Sequence, residues 1–225
     1  GNELLSLIKY INISPNKLLI LNSRIAIFQE AKQRTPELVK SENKGDTETE
    51  VSMAFKVEGN KLIYRNDSEI LQLEPWGKNS LRIRGTKTAA VSQEPWALLE
   101  PEACEAQIQV DGKTASITNG KIRAEFNQFG WLTYYNQKGE VLLEERWRVN
   151  NGGDKTSPLA ICGREYKPII GSSDYKITLR FEGQDGEKIF GLGQRQEKQL
   201  NMKGCCLELA QRNSQASIPC ALSNR

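Results

Sequence analysis

The sequence predicts an all-β protein of antiparallel strands, a sandwich or barrel, preceded by a helical extension. Three observations predict it. From residue 53 onward, short runs alternate apolar with polar residues. The cleanest sets Tyr175, Ile177, Leu179 and Phe181 against Lys176, Thr178, Arg180 and Glu182, and period-two alternation marks a half-buried strand. Turn dipeptides separate these runs roughly every 8–12 residues, the spacing of a sandwich or barrel. The first 52 residues carry a different pattern, with a capping pair, Ser14-Pro15, ahead of apolar residues mixed with charges.

In chain order, Ser14 can cap a helix and Pro15 fits its first position. Leu18, Leu19, Leu21, Ile25, Ile27 and Phe28, among Lys17, Arg24, Glu30 and Lys32, suit an amphipathic helix over residues 15–33. Thr35-Pro36 starts a second short turn. Residues 41–50 are charged and poor in apolar side chains, so they read as a linker. The helix has a polar face of mixed charge, which favours packing on its own domain over lying on a membrane.

From residue 53 the strands begin. Phe55 and Val57 alternate with Lys56 and Glu58, and Gly59-Asn60 turns the chain into Leu62-Ile63-Tyr64. Asn66-Asp67 turns it again before Ile70-Leu71-Gln72-Leu73. Strict alternation in Leu81-Arg82-Ile83-Arg84 sends the aliphatic pair inward and both arginines outward. Residues 86–105 form a long connection. Asp111-Gly112, Asn119-Gly120 and Lys138-Gly139 then punctuate a meander running to Val141-Leu142-Leu143-Glu144. Residues 146–173 are irregular. After Tyr175–Phe181 alternation, Asp185-Gly186 turns the chain toward Ile189-Phe190.

Composition excludes several functions. The chain has 225 residues, 38% apolar and 26% charged, enough for one large or two small domains. A net charge of +3 with scattered Lys and Arg makes no case for nucleic acid. No apolar run is long enough to span a bilayer, since Leu18-Leu19-Ile20-Leu21 is broken by Asn22. Residues 1–15 lack the features of a signal peptide. There is no histidine, which rules out a Ser-His-Asp triad or a histidine general base within this chain. Cys104, Cys162, Cys205, Cys206 and Cys220 form neither a disulfide framework nor a zinc motif. They read as buried or half-buried thiols of a cytoplasmic protein, with Cys205 and Cys206 on opposite faces of a strand. No metal and no cofactor is expected. Gly191-Leu192-Gly193 lacks the third glycine of a dinucleotide loop, because Gln196 stands there.

The C-terminal stretch organises the rest. It runs Phe190-Gly191-Leu192-Gly193-Gln194, then Leu200-Asn201-Met202-Lys203-Gly204, then Leu207-Glu208-Leu209-Ala210 and the amide-rich turn Gln211-Arg212-Asn213-Ser214-Gln215, then Ile218-Pro219. With Glu74-Pro75-Trp76-Gly77-Lys78-Asn79-Ser80-Leu81-Arg82-Ile83-Arg84 and Phe129-Gly130-Trp131-Leu132-Thr133, it resembles the N-terminal region of glycoside hydrolase family 31, the α-glucosidase and α-xylosidase family. The resemblance covers residues 53–225 and leaves out residues 1–52, so a domain boundary is expected there.

That resemblance implies a large antiparallel β-sandwich of the galactose mutarotase-like type that packs on a catalytic (β/α)₈ barrel. Mutarotase-like catalysis, which such a fold suggests, is disfavoured because those sites typically rely on histidine and the chain has none. No part of this sequence resembles the barrel or its aspartate motifs, so no catalytic residue is assigned and the chain alone is expected to be inactive. The sequence stops at Arg225 within what reads as continuing sheet, and the expectation is a piece of a larger protein. In the family, the turn matching residues 211–215 reaches the mouth of the active site and helps form the leaving-group subsite. The resemblance therefore implies Asn213, Gln215 and Arg212 as substrate-binding residues for an α-linked oligosaccharide or glycoside. Asn213 stands where the family often has an aspartate, nearer the α-xylosidase-like branch. The structural alternative is an ordinary turn, since Asn tolerates left-handed backbone and Ser bonds locally. Apolar surface left where the barrel docks would favour self-association. A second functional class is a stand-alone carbohydrate-binding module in which exposed Trp76, Trp96 or Trp131 stacks on sugars. A tryptophan beside a proline or glycine is more often a core anchor.

Overall fold

The structure, a computed structural model, describes residues 9–13, 18–23, 54–93, 98–148, 160–196 and 198–225. Among these residues every regular element is a strand: β1 (Lys9–Ile13), β2 (Leu18–Ser23), β3 (Phe55–Glu58), β4 (Lys61–Asn66), β5 (Glu69–Pro75), β6 (Leu81–Thr86), β7 (Gln107–Asp111), β8 (Thr114–Asn119), β9 (Ile122–Phe126), β10 (Leu132–Asn136), β11 (Val141–Glu144), β12 (Arg164–Pro168), β13 (Tyr175–Leu179), β14 (Ile189–Gln194) and β15 (Ala216–Ser223). All their pairings are antiparallel. One sheet has eight strands in the order β14-β15-β2-β1-β6-β5-β4-β3. A second has five, β11-β10-β9-β8-β7, and β12-β13 forms a separate hairpin.

Local chemistry sets the hairpins. Gly59, Gly112 and Gly120 take φ of +56°, +54° and +59° at the β3–β4, β7–β8 and β8–β9 turns, a region that costs other residues strain. The β4–β5 turn manages without glycine, placing Asp67 and Ser68 at φ of +46° and +61°. Two consecutive positive φ values match the twist of the flanking strands.

The core lies between the β3–β6 part of the large sheet and the five-stranded sheet. Phe55, Leu62, Tyr64, Leu71, Leu73, Leu81 and Ile83 meet Ala115, Ile117, Ile122, Ala124, Phe126, Leu132, Tyr134 and Leu142. Phe55, Tyr64 and Phe126 form a triad of rings with centroids 5.0–5.3 Å apart. Asn119 ties the sheets at one end. Its Nδ2 donates to the carbonyls of Gly77 and Ser80 at 2.8 and 2.7 Å, which holds the Trp76–Ser80 loop against the β8–β9 turn. Asn119→Ala removes this donor from the Gly77 carbonyl and leaves the Ser80 carbonyl with its bond from Trp76 N–H at 3.1 Å. It is expected to cost about 1–2 kcal/mol, read from the urea midpoint.

Three sequence expectations need correction. Residues 18–23 belong to β2, so the expected amphipathic helix is not formed there; the rest of residues 15–33 lies outside the described residues. β1 and β2 instead fill the large sheet between β15 and β6, and pairing with β15 through Cys220, Ala221 and Leu222 favours the extended form. Arg82 and Arg84 leave the core face as alternation requires, but they are 2% and 1% exposed. Their face carries a buried polar layer in which Arg84 pairs with Glu74 at 2.6 Å and donates to the carbonyl of Ser92. The long β6–β7 connection thus supplies part of the cover. Finally, β12 forms within the stretch that reads as irregular, through pairing with β13.

Candidate functional site

The site is built at the β14–β15 end of the large sheet. β14 and β15 pair from Ile189↔Ser223 to Gln194↔Ala216, with an irregularity that sets Leu192 against Ile218, Pro219 and Cys220. Pro219 cannot donate to a ladder, which suits it to such an irregularity. The 200–205 segment caps the start of β14. Met202 N–H donates to the Ile189 carbonyl at 2.7 Å, and Ile189 N–H donates to Asn201 Oδ1 at 3.0 Å. Glu187 joins this segment to β15, accepting from Lys203 Nζ at 3.1 Å and from Ser223 Oγ at 2.7 Å.

Partial burial pushes the Glu187 carboxyl up, but the Ser223 hydroxyl and the Lys203 ammonium outweigh it and hold it below its ordinary range. A carboxylate depressed in the folded state stabilises above its unfolded pKa, and that contribution is lost as pH falls through the folded value. Glu187→Gln is therefore expected to flatten part of the acid-side fall in stability, as read from unfolding midpoints measured on acidification.

The turn between residues 211 and 216 carries the candidate binding residues. Gln215 N–H donates to the Arg212 carbonyl at 3.1 Å, closing a β-turn. Asn213 occupies its second position and is exposed. Ser214, rather than Asn213, takes the left-handed conformation, with φ of +64°. Gln215 is half-buried. Arg212 is exposed, but its guanidinium is folded back onto the Glu208 carboxylate four residues earlier. The turn thus brings Arg212, Asn213 and Gln215 together and presents the Asn213 amide outward, one donor group and one acceptor without charge. The run Leu207-Glu208-Leu209-Ala210 is not a strand. Cys205 and Cys206 therefore lie outside the sheet, and Cys206 is exposed rather than buried.

Gln211 has a role that no spacing or motif in the sequence announces. Its side-chain Nε2 donates to the Ser217 carbonyl at 2.8 Å, and its Oε1 accepts from Ser217 N–H at 3.1 Å. Ser217 Oγ in turn donates to the Ala210 carbonyl at 2.8 Å.

Of the described candidates for a sugar platform, Trp131 is closed off and Trp76 has one face covered. Trp131 is 4% exposed, stacks on Trp147 at 6.3 Å and lies beneath the Arg164 guanidinium at 5.1 Å. Trp76 is half-buried, and the Arg82 guanidinium covers one face at 4.2 Å, a stabilising cation–π contact. Trp96 lies outside the described residues. The buried carboxylates are also occupied. Arg164 donates through Nε to Glu69 at 2.8 Å, through Nη1 to Glu145, and through Nη2 to the Gly130 carbonyl at 2.7 Å. Burial alone would lower the Arg164 pKa, but Glu145 and Glu69 raise it, so the group remains a cation. Among the described residues no group of three or more Cys, Asp or Glu is arranged to hold a metal ion.

No protein-family model matches the chain. It is 48% identical over 170 residues to an uncharacterized family 31 glucosidase of Pseudescherichia vulneris, a match covering 71% of this chain and 32% of that protein. The crystal structure of a GH31 α-xylosidase from a soil metagenome, complexed with xylose, is 43% identical and superposes with a TM-score of 0.69 over 75% of this chain and 26% of its own. The GH31 α-xylosidase of Xanthomonas citri, at 18% identity, shares the fold with a TM-score of 0.60 over 75% of this chain and 18% of its own. The chain thus spans about a third or less of each of these proteins.

Proposed function

We propose that this chain, which belongs to glycoside hydrolase family 31, is the non-catalytic N-terminal β-sandwich domain of a retaining α-glycosidase acting on α-glucosides or α-xylosides. Its 211–215 turn contributes to the leaving-group subsite. Hydrolysis with retention takes two carboxylates flanking the glycosidic bond, and these come from the remainder of the enzyme. Here the buried carboxylates Glu69 and Glu145 are engaged by Arg164 and serve the fold. The observation that carries the reading is an exposed amide turn, with Asn213 outward, held at the end of an ordered sheet.

Asn213 supplies a hydrogen-bond donor and acceptor to a sugar hydroxyl on the leaving-group side. One such bond is equivalent to roughly five- to tenfold in affinity. In the intact enzyme, Asn213→Ala should raise KM by about that factor for disaccharides while leaving kcat unchanged. For a substrate whose leaving group makes no sugar contact, the two enzymes should be equal. An unchanged KM for disaccharides would remove the turn from the subsite. Burial of Trp131 and the cover on one face of Trp76 weigh against these two as platforms of a stand-alone carbohydrate-binding module.

The same end of the sheet exposes Leu200, Ile218 and Leu222, at 81%, 55% and 39%. These apolar groups are suited to packing against the catalytic domain. On the chain by itself they should drive weak self-association, seen as a sedimentation coefficient that rises with concentration and falls back in Ile218→Ser.

A further inference from the structure

We infer that Gln211 is a positioning residue, a side-chain clamp that fixes the turn bearing Asn213; the inference rests on the subsite reading of that turn. Among the described residues, β2 pairs with β15 only at Cys220, Ala221 and Leu222. On its β14 side Ser217 is the register partner of Gly193; on its other edge, closer to the turn, its peptide groups meet no described strand, and the residue is buried, at 8% exposure. Gln211 provides the partner on that edge. Its carboxamide donates to the Ser217 carbonyl and accepts from the Ser217 N–H, the two bonds that a residue of a neighbouring strand would make. A primary amide is suited to this because it carries donor and acceptor on one planar group. With Ser217 Oγ bound to the Ala210 carbonyl, both ends of the 211–217 segment are locked together. Arg212, Asn213, Ser214 and Gln215 then form a loop of fixed base, which lowers the ordering cost of binding a sugar.

The clamp can be read without catalysis. On the 225-residue chain, Gln211→Ala should speed amide exchange at Ser217 about tenfold, with no change at Ala124 in the core strand β9. Gln211→Glu distinguishes a clamp from bulk packing. Its carboxylate can accept from Ser217 N–H but has no proton for the Ser217 carbonyl, so protection should be low at neutral pH and return as pH falls through the carboxylate range. In the intact enzyme, Gln211→Ala should raise the disaccharide KM about as much as Asn213→Ala, with kcat held, and a double variant should add little. Unchanged Ser217 exchange in Gln211→Ala, or no recovery of Gln211→Glu on acidification, overturns the clamp. A KM raised by Asn213→Ala but not by Gln211→Ala overturns the positioning role alone. If Asn213→Ala is itself silent, the subsite reading falls and takes the positioning role with it, while Ser217 exchange still judges the clamp.

Discussion

Arg164→Ala is expected to cost about 3–5 kcal/mol of folding stability, the range for removing one partner of a buried ion pair. Arg164 stands at the start of β12, Glu69 at the start of β5 and Glu145 just after β11, so one guanidinium joins the β12–β13 hairpin to both sheets. Glu145 also accepts from Leu132 N–H at 2.9 Å, which fixes the start of β10. Removing the cation leaves two carboxylates in a site where Glu69 and Glu145 are 9% and 3% exposed. Burial, with the Glu69 charge beside it, then favours the protonated form of Glu145. A carboxyl raised in the folded state loses stability as pH rises above its unfolded pKa, so the deficit of Arg164→Ala should be largest at neutral pH and shrink on acidification. Arg164→Lys should recover only part of the loss, because an ammonium cannot reproduce the planar fork that reaches Glu69, Glu145 and the Gly130 carbonyl. Urea unfolding at several pH values measures all of this. A loss below about 1 kcal/mol, the size of an exposed pair, or a deficit independent of pH would show that the triad is not the tie described here.

The parts of this fold that are legible in the sequence are those decided over a few residues. Gly59, Gly112 and Gly120 announce hairpins because a positive φ is a local requirement. The alternation around Ile177 announces β13 for the same reason. What alternation cannot say is whether the second face of a strand meets solvent. Arg82 and Arg84 leave the core as their pattern requires, yet partners from the β6–β7 connection, such as the Ser92 carbonyl on Arg84, bury them. Leu18-Leu19-Ile20-Leu21 fits a helix or a strand equally well by period. Its extended form rests on pairing with β1 on one side and with β15, about two hundred residues away, on the other. β12 reads Arg-Glu-Tyr-Lys-Pro, with no apolar alternation, and is a strand because β13 pairs with it. The site divides in the same way. A turn at Asn213-Ser214 is legible from the two residue types, although Ser214 takes the left-handed position. The Gln211 clamp is not, because it answers the edge of Ser217 that faces away from β14, six residues later.

The glycines of the Phe190-Gly191-Leu192-Gly193-Gln194 stretch lead to the second large effect. Gly193→Ala is expected to cost about 3 kcal/mol and to displace the turn that carries Asn213. Gly191, Leu192 and Gly193 take φ of +95°, +67° and +95°, and a left-handed position alone costs a substituted residue about 1–2 kcal/mol. At Gly193 a steric cost adds to this. A Cβ there would lie 2.0 Å from the Ala216 carbonyl oxygen and 2.8 Å from Ile218 N. Both are backbone atoms of the partner strand, so no side chain can swing aside, and β14 and β15 would have to part. Ala216 directly follows Gln215, so the separation reaches the turn at once. Gly112 supplies the control. Its φ is +54° but nothing lies within 4 Å of its would-be Cβ, so Gly112→Ala bears only the conformational cost, about 1 kcal/mol. The difference between the two variants isolates the close approach of the strands from glycine's backbone freedom. Equal losses in urea unfolding, or unchanged Ser217 exchange in Gly193→Ala, would mean that these glycines serve local conformation alone. A larger loss at Gly193, with faster exchange at Ser217, would make the second glycine of the motif the point where the sheet and the candidate binding turn are held in contact.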